Sequence, residues 1–295
     1  MQPFDYFSPK TLPEAVEILS RHNGDARVVA GGTDLLLKMK GGRLAPKAIV
    51  NIKRLAELRG ISETSNSKLQ TPNYHLPITT IGALTTLEEL RRSPIIRERY
   101  PSLCDAANTM ASVQIRNLAT VGGNMCNAAP SADLAPIFIA LDASAVIAGP
   151  GGERRVPLEE FFVGPGKTVL ESGELLASLE APPPVGPSLY LKHSPRAHMD
   201  IAVVGVGLAA QLSGGVCESA RIVLGAVAPV PLRVRRAEAE LIGGPFSAER
   251  IDRAAKIAAE EAQPIDDVRG AVWYRRKMVE VLVRRGLTAI GGIEN

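Results

Sequence analysis

The sequence predicts an α+β fold in two parts, and three observations carry that reading. The opening stretch alternates helix and strand signals around a pair of glycines. Pro182-Pro183-Pro184 then interrupts the chain, since three prolines continue neither a helix nor a central strand. Beyond them strand signals come first and helix signals last. The 295 residues suit one large domain or two ordinary ones, and 45% hydrophobic residues supply a core. The expected division is 1–181 and 182–295, with the first part split into subdomains at about residue 56.

Thr11-Leu12-Pro13-Glu14 is a capping-box start with an early proline. Ala15, Ile18 and Leu19 follow at helical spacing, and Asn23-Gly24 stops the helix. Arg27–Val29 and Ala48–Ile52 read as strands. The polar stretch Glu63–Leu76 reads as a hairpin or loop, and Pro77–Ala83 as a strand. Thr85-Thr86-Leu87-Glu88 opens a helix through Leu90. Pro94–Tyr100 and Pro101–Met110 are two helices with a break at Pro101. Ile115–Val121 reads as extended or loop structure leading into a second glycine pair. Ser131 is the expected N-cap of a helix running to about Asp142, with Asp133 in its first turn. Ala145–Ala148 and Arg154–Val156 form a hairpin around Gly149-Pro150-Gly151-Gly152. A short helix at Leu158–Phe162 and a strand at Glu174–Ala181 complete the first part. Strands are then expected at Ser188–Lys192, Ile201–Leu212 and Ala220–Ala228, and helices at Arg233–Leu241, Ala248–Glu261 and Val272–Arg285.

Composition removes several function classes. Lys and Arg number 34 against 31 Asp and Glu, a balance unlike that of a dedicated nucleic-acid binder. The three cysteines form no C-x-x-C pair, so no zinc or iron–sulfur site of the usual spacing is expected. No apolar run is long enough to span a membrane. No basic-then-apolar leader is visible at the start, so a cytoplasmic location is expected. The histidines are dispersed, with His193 and His198 the one close pair. No dinucleotide fingerprint, ATPase loop, metalloprotease motif or nucleophile elbow occurs.

Two stretches remain. In Val28-Val29-Ala30-Gly31-Gly32-Thr33-Asp34-Leu35-Leu36, β-branched residues run into glycines whose backbone N–H groups can crowd an anion. Thr120-Val121-Gly122-Gly123-Asn124 has the same form. Each alone reads first as a tight turn; together, with matched flanks, they suggest one extended ligand with more than one phosphate. Asn124, Asn127 and Asp133 follow in quick succession as hydrogen-bonding candidates. Lys192 and Arg196 are candidates to neutralise phosphate or to pair with Asp200.

These residues carry a family pattern. Ala30–Leu36, with Thr120-Val121-Gly122-Gly123-Asn124-Met125-Cys126-Asn127-Ala128-Ala129-Pro130-Ser131-Ala132-Asp133, resembles the flavin-binding medium subunit of molybdenum hydroxylases, the family of xanthine dehydrogenase, aldehyde oxidoreductases and carbon monoxide dehydrogenase. Lys192–Ala202 is similar to the start of that family's C-terminal flavoprotein domain. The resemblance implies FAD bound between two α/β subdomains of the vanillyl-alcohol oxidase type, followed by a C-terminal α+β domain. It implies a pyrophosphate loop of Val28, Val29, Ala30, Gly31, Gly32, Thr33, Asp34 and Leu35. Further contacts are implied at Thr120, Gly123, Asn124, Asn127 and Asp133. Met110 falls where the family can place an aromatic residue. Leu176 and Lys192 match positions near the flavin ring, and Tyr190 is the nearest aromatic that could cover it. The resemblance implies neither catalytic side chains nor a metal site on this chain. It implies a large molybdenum-cofactor subunit and a small subunit with two iron–sulfur clusters, in a dimer of heterotrimers. FAD would pass electrons to an external acceptor. A free-standing flavin oxidase and a non-catalytic assembly protein are the alternative readings.

Overall fold

A computed structural model of the chain describes residues 2–64, 77–196 and 199–293. Most of the polar stretch 63–76, and His198, lie outside the described residues.

The opening unit runs β1 (Asp5–Phe7), α1 (Leu12–Arg21), β2 (Ala26–Val29), α2 (Leu35–Lys40) and β3 (Ala48–Asn51). Its three strands form a parallel sheet in the order β1-β3-β2. Thr11 caps α1 by accepting the Glu14 N–H, while the Glu14 carboxylate accepts the N–H of Lys10 at 2.7 Å, one residue earlier than a reciprocal box would have it. Ala15, Val16 and Leu19 of α1 pack with Ala48 and Val50. Two elements are not expected from the sequence: strand β1, too short to leave an alternation signal, and the helix α2 formed by the run after the first glycine pair, Leu35-Leu36-Leu37.

The second unit holds β4 (Ile61–Thr64), β5 (Ile78–Gly82), α3 (Leu87–Arg92), α4 (Pro94–Arg99), α5 (Pro101–Asn108), α6 (Val113–Arg116), α7 (Val121–Asn127) and α8 (Leu134–Ala140). It continues through β6 (Ser144–Gly149), β7 (Gly152–Pro157), α9 (Leu158–Phe161), β8 (Phe162–Gly164), β9 (Lys167–Thr168) and β10 (Leu175–Ala181). Five strands make an antiparallel sheet in the order β4-β5-β10-β6-β7. Thr86 and Glu89 form a full capping box on α3, and Pro94 and Pro101 each open a helix. Every residue of α8 is buried, which makes it the central core helix of this unit. The buried Tyr100 hydroxyl lies 2.9 Å from the Pro182 carbonyl oxygen and fastens the helical layer to the chain where β10 ends.

After the prolines come β11 (Ser188–His193), β12 (Val204–Ser213), β13 (Val216–Gly225) and β14 (Leu232–Arg233), an antiparallel sheet in sequence order. The helices α10 (Arg235–Leu241), α11 (Ala248–Glu261) and α12 (Val272–Gly291) follow. The near-continuous apolar character of β12 is explained by burial of both faces. Val206, Leu208 and Ala210 pack with Val279, Val283 and Leu287 of α12. The opposite face, with Tyr190, Ala209 and Val223, joins the core built around α8. Helix α12 continues past Arg285 to Gly291: the basic pair before Gly286 resembles a C-terminus, but Gly286 gives the helix close approach to Leu208. Among the described residues no helix is long and apolar enough to cross a membrane.

Candidate functional site

The first glycine pair lies on a loop between β2 and α2. Gly32 has φ +77, a conformation L side chains rarely adopt. Gly31 has a different constraint. A Cβ there would run into the Leu118 carbonyl group and come within 2.9 Å of the Ala119 Cα. The loop is thus pressed against the chain just upstream of the second glycine pair, and the two motifs are neighbours in space. The N–H groups of Gly31, Gly32, Thr33 and Asp34 donate to no acceptor among the described residues. Four consecutive unpartnered amides in a partly exposed loop form a cradle for an anion.

The second pair behaves differently. It is not a loop after a strand but the first turn of α7. Thr120 is the N-cap, its hydroxyl accepting the Gly123 N–H at 3.0 Å. The N–H of Val121 donates to Thr85 O and that of Gly122 to Ala83 O, each at 2.9 Å. Gly122 has no room for a Cβ, because Ala83 occupies the space. These amides are consumed by the protein itself, so the expected two-loop cradle is one loop and one side-chain wall. The helix was hidden because its β-branched lead-in and paired glycines disfavour helix on propensity, which contact with the β5–α3 connection overrides. That wall carries Asn124, whose buried Oδ1 has no hydrogen-bond partner among the described residues. An orphaned acceptor on one segment and free donors on the other fit a ligand that brings both hydroxyl or N–H donors and phosphate acceptors. Asn127, at the end of α7, accepts from Lys38 of α2 at 2.6 Å, a second tie between the two motifs.

Asp133 stands at the head of α8, yet its side chain makes no cap bond, and Ser131 does not cap the helix either. The carboxylate turns instead to β11. It accepts from the Tyr190 hydroxyl at 2.7 Å and from the Lys192 ammonium at 3.1 Å. The Asp133 and Lys192 side chains are 9% and 6% exposed, so this is a buried ion pair. Burial pushes the Asp133 carboxyl above its usual range against the pull of Lys192, and burial beside that carboxylate pushes the Tyr190 phenol well above its own. Lys192 also reaches the Thr109 and Asp200 carbonyls, at 3.4 and 2.8 Å. It therefore pairs with Asp133 and not with the Asp200 carboxylate, which takes Arg196. Tyr190 is buried with its hydroxyl committed to Asp133, so it is not an exposed ring cover.

Thr109 and Met110 lie at the turn after α5. Arg116, missed in the sequence, fixes that turn by donating to the Met110 and Ala111 carbonyls at 2.8 and 3.2 Å. Arg116 is itself held by Glu88, a buried carboxylate that also takes Arg91 and Arg92. No short motif signals this cluster, whose members lie on α3 and α6. Leu176 is buried on β10 with its amide against the Cys126 thiol. Desolvation around the Cys126 thiol pushes its pKa up to about 12. His193 is engaged with the Tyr274 hydroxyl at 2.9 Å, and among the described residues no cluster of three or more His, Cys, Asp or Glu could hold a metal.

Comparison with known proteins identifies the family. Residues 2–184 match the family described as the FAD binding domain in molybdopterin dehydrogenase, and residues 189–290 match the CO dehydrogenase flavoprotein C-terminal domain. The chain is 34% identical over 287 residues to the carbon monoxide dehydrogenase medium chain of Hydrogenophaga pseudoflava, covering 97% of this chain and 96% of that one. It is 33% identical over 295 residues to the xanthine dehydrogenase FAD-binding subunit of Escherichia coli O157:H7, covering 97% of each. A solved structure of the Hydrogenophaga pseudoflava carbon monoxide dehydrogenase superposes with a TM-score of 0.91 at 35% identity over 99% of both chains. Quinoline 2-oxidoreductase from Pseudomonas putida 86 does so at 0.89 and 27%, over 99% of this chain and 98% of that one. Fold and site together define an FAD-binding flavoprotein of the α+β class. Within that class, the chain belongs to the family of FAD-binding medium subunits of molybdenum hydroxylases, a subunit of oxidoreductases.

Proposed function

We propose that this chain is the electron-transfer subunit of a multi-subunit molybdenum hydroxylase. Its FAD would receive electrons from the iron–sulfur clusters of a small partner subunit and deliver them to an external acceptor. The molybdenum cofactor would sit on a large partner subunit, in a dimer of heterotrimers. The observation that carries the flavin reading is the pairing of four free loop amides at Gly31–Asp34 with the orphaned Oδ1 of Asn124. The relatives, a medium chain and an FAD-binding subunit, support the subunit role.

Each residue of this chain then has a binding task. The loop Val28–Leu35 receives the diphosphate on backbone donors, with the Thr33 hydroxyl as a further donor. Asn124 accepts from a hydroxyl or ring N–H of the cofactor, and Thr120 and Gly123 fix the helix turn that presents it. Leu176 and Met110 exclude water on the apolar side. Asp133 and Lys192 offer one charge of each sign near the ring edge. No side chain need act as acid or base, because FAD itself supplies the one- and two-electron chemistry. The division at Ala181/Pro182 belongs to the same proposal: it leaves the cradle in the first part and Lys192 in the second.

Expression from the natural gene neighbourhood tests this. The tagged chain should purify with equimolar FAD and with partners bearing molybdenum and iron. A chain that purifies colourless and takes up no added FAD would overturn the flavin reading. A flavin-loaded chain that never associates with a metal-bearing partner would overturn the subunit role.

A further inference from the structure

Lys38 lies on α2, one helical turn beyond Asp34, and its ammonium reaches across to Asn127 on α7. The two residues are 89 positions apart in sequence, so this bond bridges the two glycine-bearing segments. Helical side chains lean toward the helix start, which for α2 is the Gly31–Asp34 loop. A diphosphate on that loop meets amide dipoles but no net positive charge. It also meets the exposed Asp34, whose carboxylate caps nothing. Arg116 and Lys192, which also lie near these segments, are each paired with a carboxylate, Glu88 and Asp133. Lys38 is held by a neutral amide and pairs with no carboxylate among the described residues.

We propose that Lys38 supplies the counter-charge for the diphosphate of the flavin nucleotide, with Asn127 orienting it over the loop. This rests on the flavin reading above and adds to it a residue that selects FAD over flavins lacking the phosphates. Asn127 thereby has a role through its partner as well as through any contact of its own.

The test uses the full chain stripped of flavin and titrated with FAD and with riboflavin at low and high salt. Glutamine at position 38 can keep a hydrogen bond to Asn127 but carries no charge. Lys38→Gln should weaken FAD binding about tenfold at low salt, the scale of one charge-assisted hydrogen bond. That deficit should shrink at high salt, and riboflavin binding should be unaffected. Lys38→Arg should retain FAD binding, and Lys38→Glu should lose more than the glutamine variant. Native FAD affinity and native salt dependence in Lys38→Gln would overturn the proposal, as would an equal loss of FAD and riboflavin. A native chain that binds neither flavin would instead overturn the flavin reading, and this proposal with it.

Discussion

Gly31 and Leu118 are in backbone contact, and the contact exists because Gly31 has no side chain. An added Cβ would also lie 2.8 Å from the Leu118 carbonyl carbon. Neither backbone can move without disturbing its glycine-bearing segment. Gly31→Ala should therefore destabilise the chain by about 1–3 kcal/mol, the usual cost of overpacking, and weaken FAD binding as the loop is displaced. Gly151→Ala is the control, since nothing lies within 4 Å of its added Cβ. Denaturant unfolding and flavin titration of both variants check this.

The buried pair of Asp133 and Lys192 joins the first part of the chain to the sheet that follows the prolines. Asp133→Asn leaves the Lys192 ammonium buried without its counter-charge. A loss of roughly 3–5 kcal/mol is expected from breaking such a pair on one side. Tyr190→Phe removes only a hydrogen bond to the same carboxylate and should cost about 1–2 kcal/mol. Urea unfolding curves rank the two, and the reverse ranking would show that the ion pair does not hold this junction.

Glu88 gives the acid limb of stability a predicted shape. Hydrogen bonding to Arg91 first, and then to Arg92 and Arg116, lowers its pKa from 4.5 to about 2 despite burial. A carboxylate that binds its proton less readily folded than unfolded stabilises the fold fully above the unfolded pKa. That contribution fades as the pH falls through 4.5 toward 2. Glu88→Gln should be less stable than the native chain at neutral pH, and the gap should close across this window. A gap that stays constant with pH would contradict the assignment.

Much of the fold was legible because its signals are local. Thr11 and Thr86 cap helices, Pro94 and Pro101 start them, and the Gly149–Gly152 turn closes its hairpin. The family pattern carried the list of site residues. What the sequence concealed was tertiary. The second glycine pair reads as a loop until Thr85, Ala83 and Thr120 are seen to accept the amides of Val121, Gly122 and Gly123. Asp133 reads as a helix-start acid until Tyr190 and Lys192, more than fifty residues away, are found on it. Lys38 and Arg116 carry no motif, and their partners are brought to them by the packing of short helices.

The two glycine segments are asymmetric: the first offers its amides to a ligand, and the second has already spent its own. Amide hydrogen exchange on the chain with and without FAD reads this directly. The amides of Gly31–Asp34 should exchange fast in the flavin-free chain and slow on FAD binding. Those of Val121, Gly122 and Gly123, already bonded to Thr85, Ala83 and Thr120, should be protected in both states. FAD-induced protection confined to Val121–Gly123, with Gly31–Asp34 unchanged, would contradict the account.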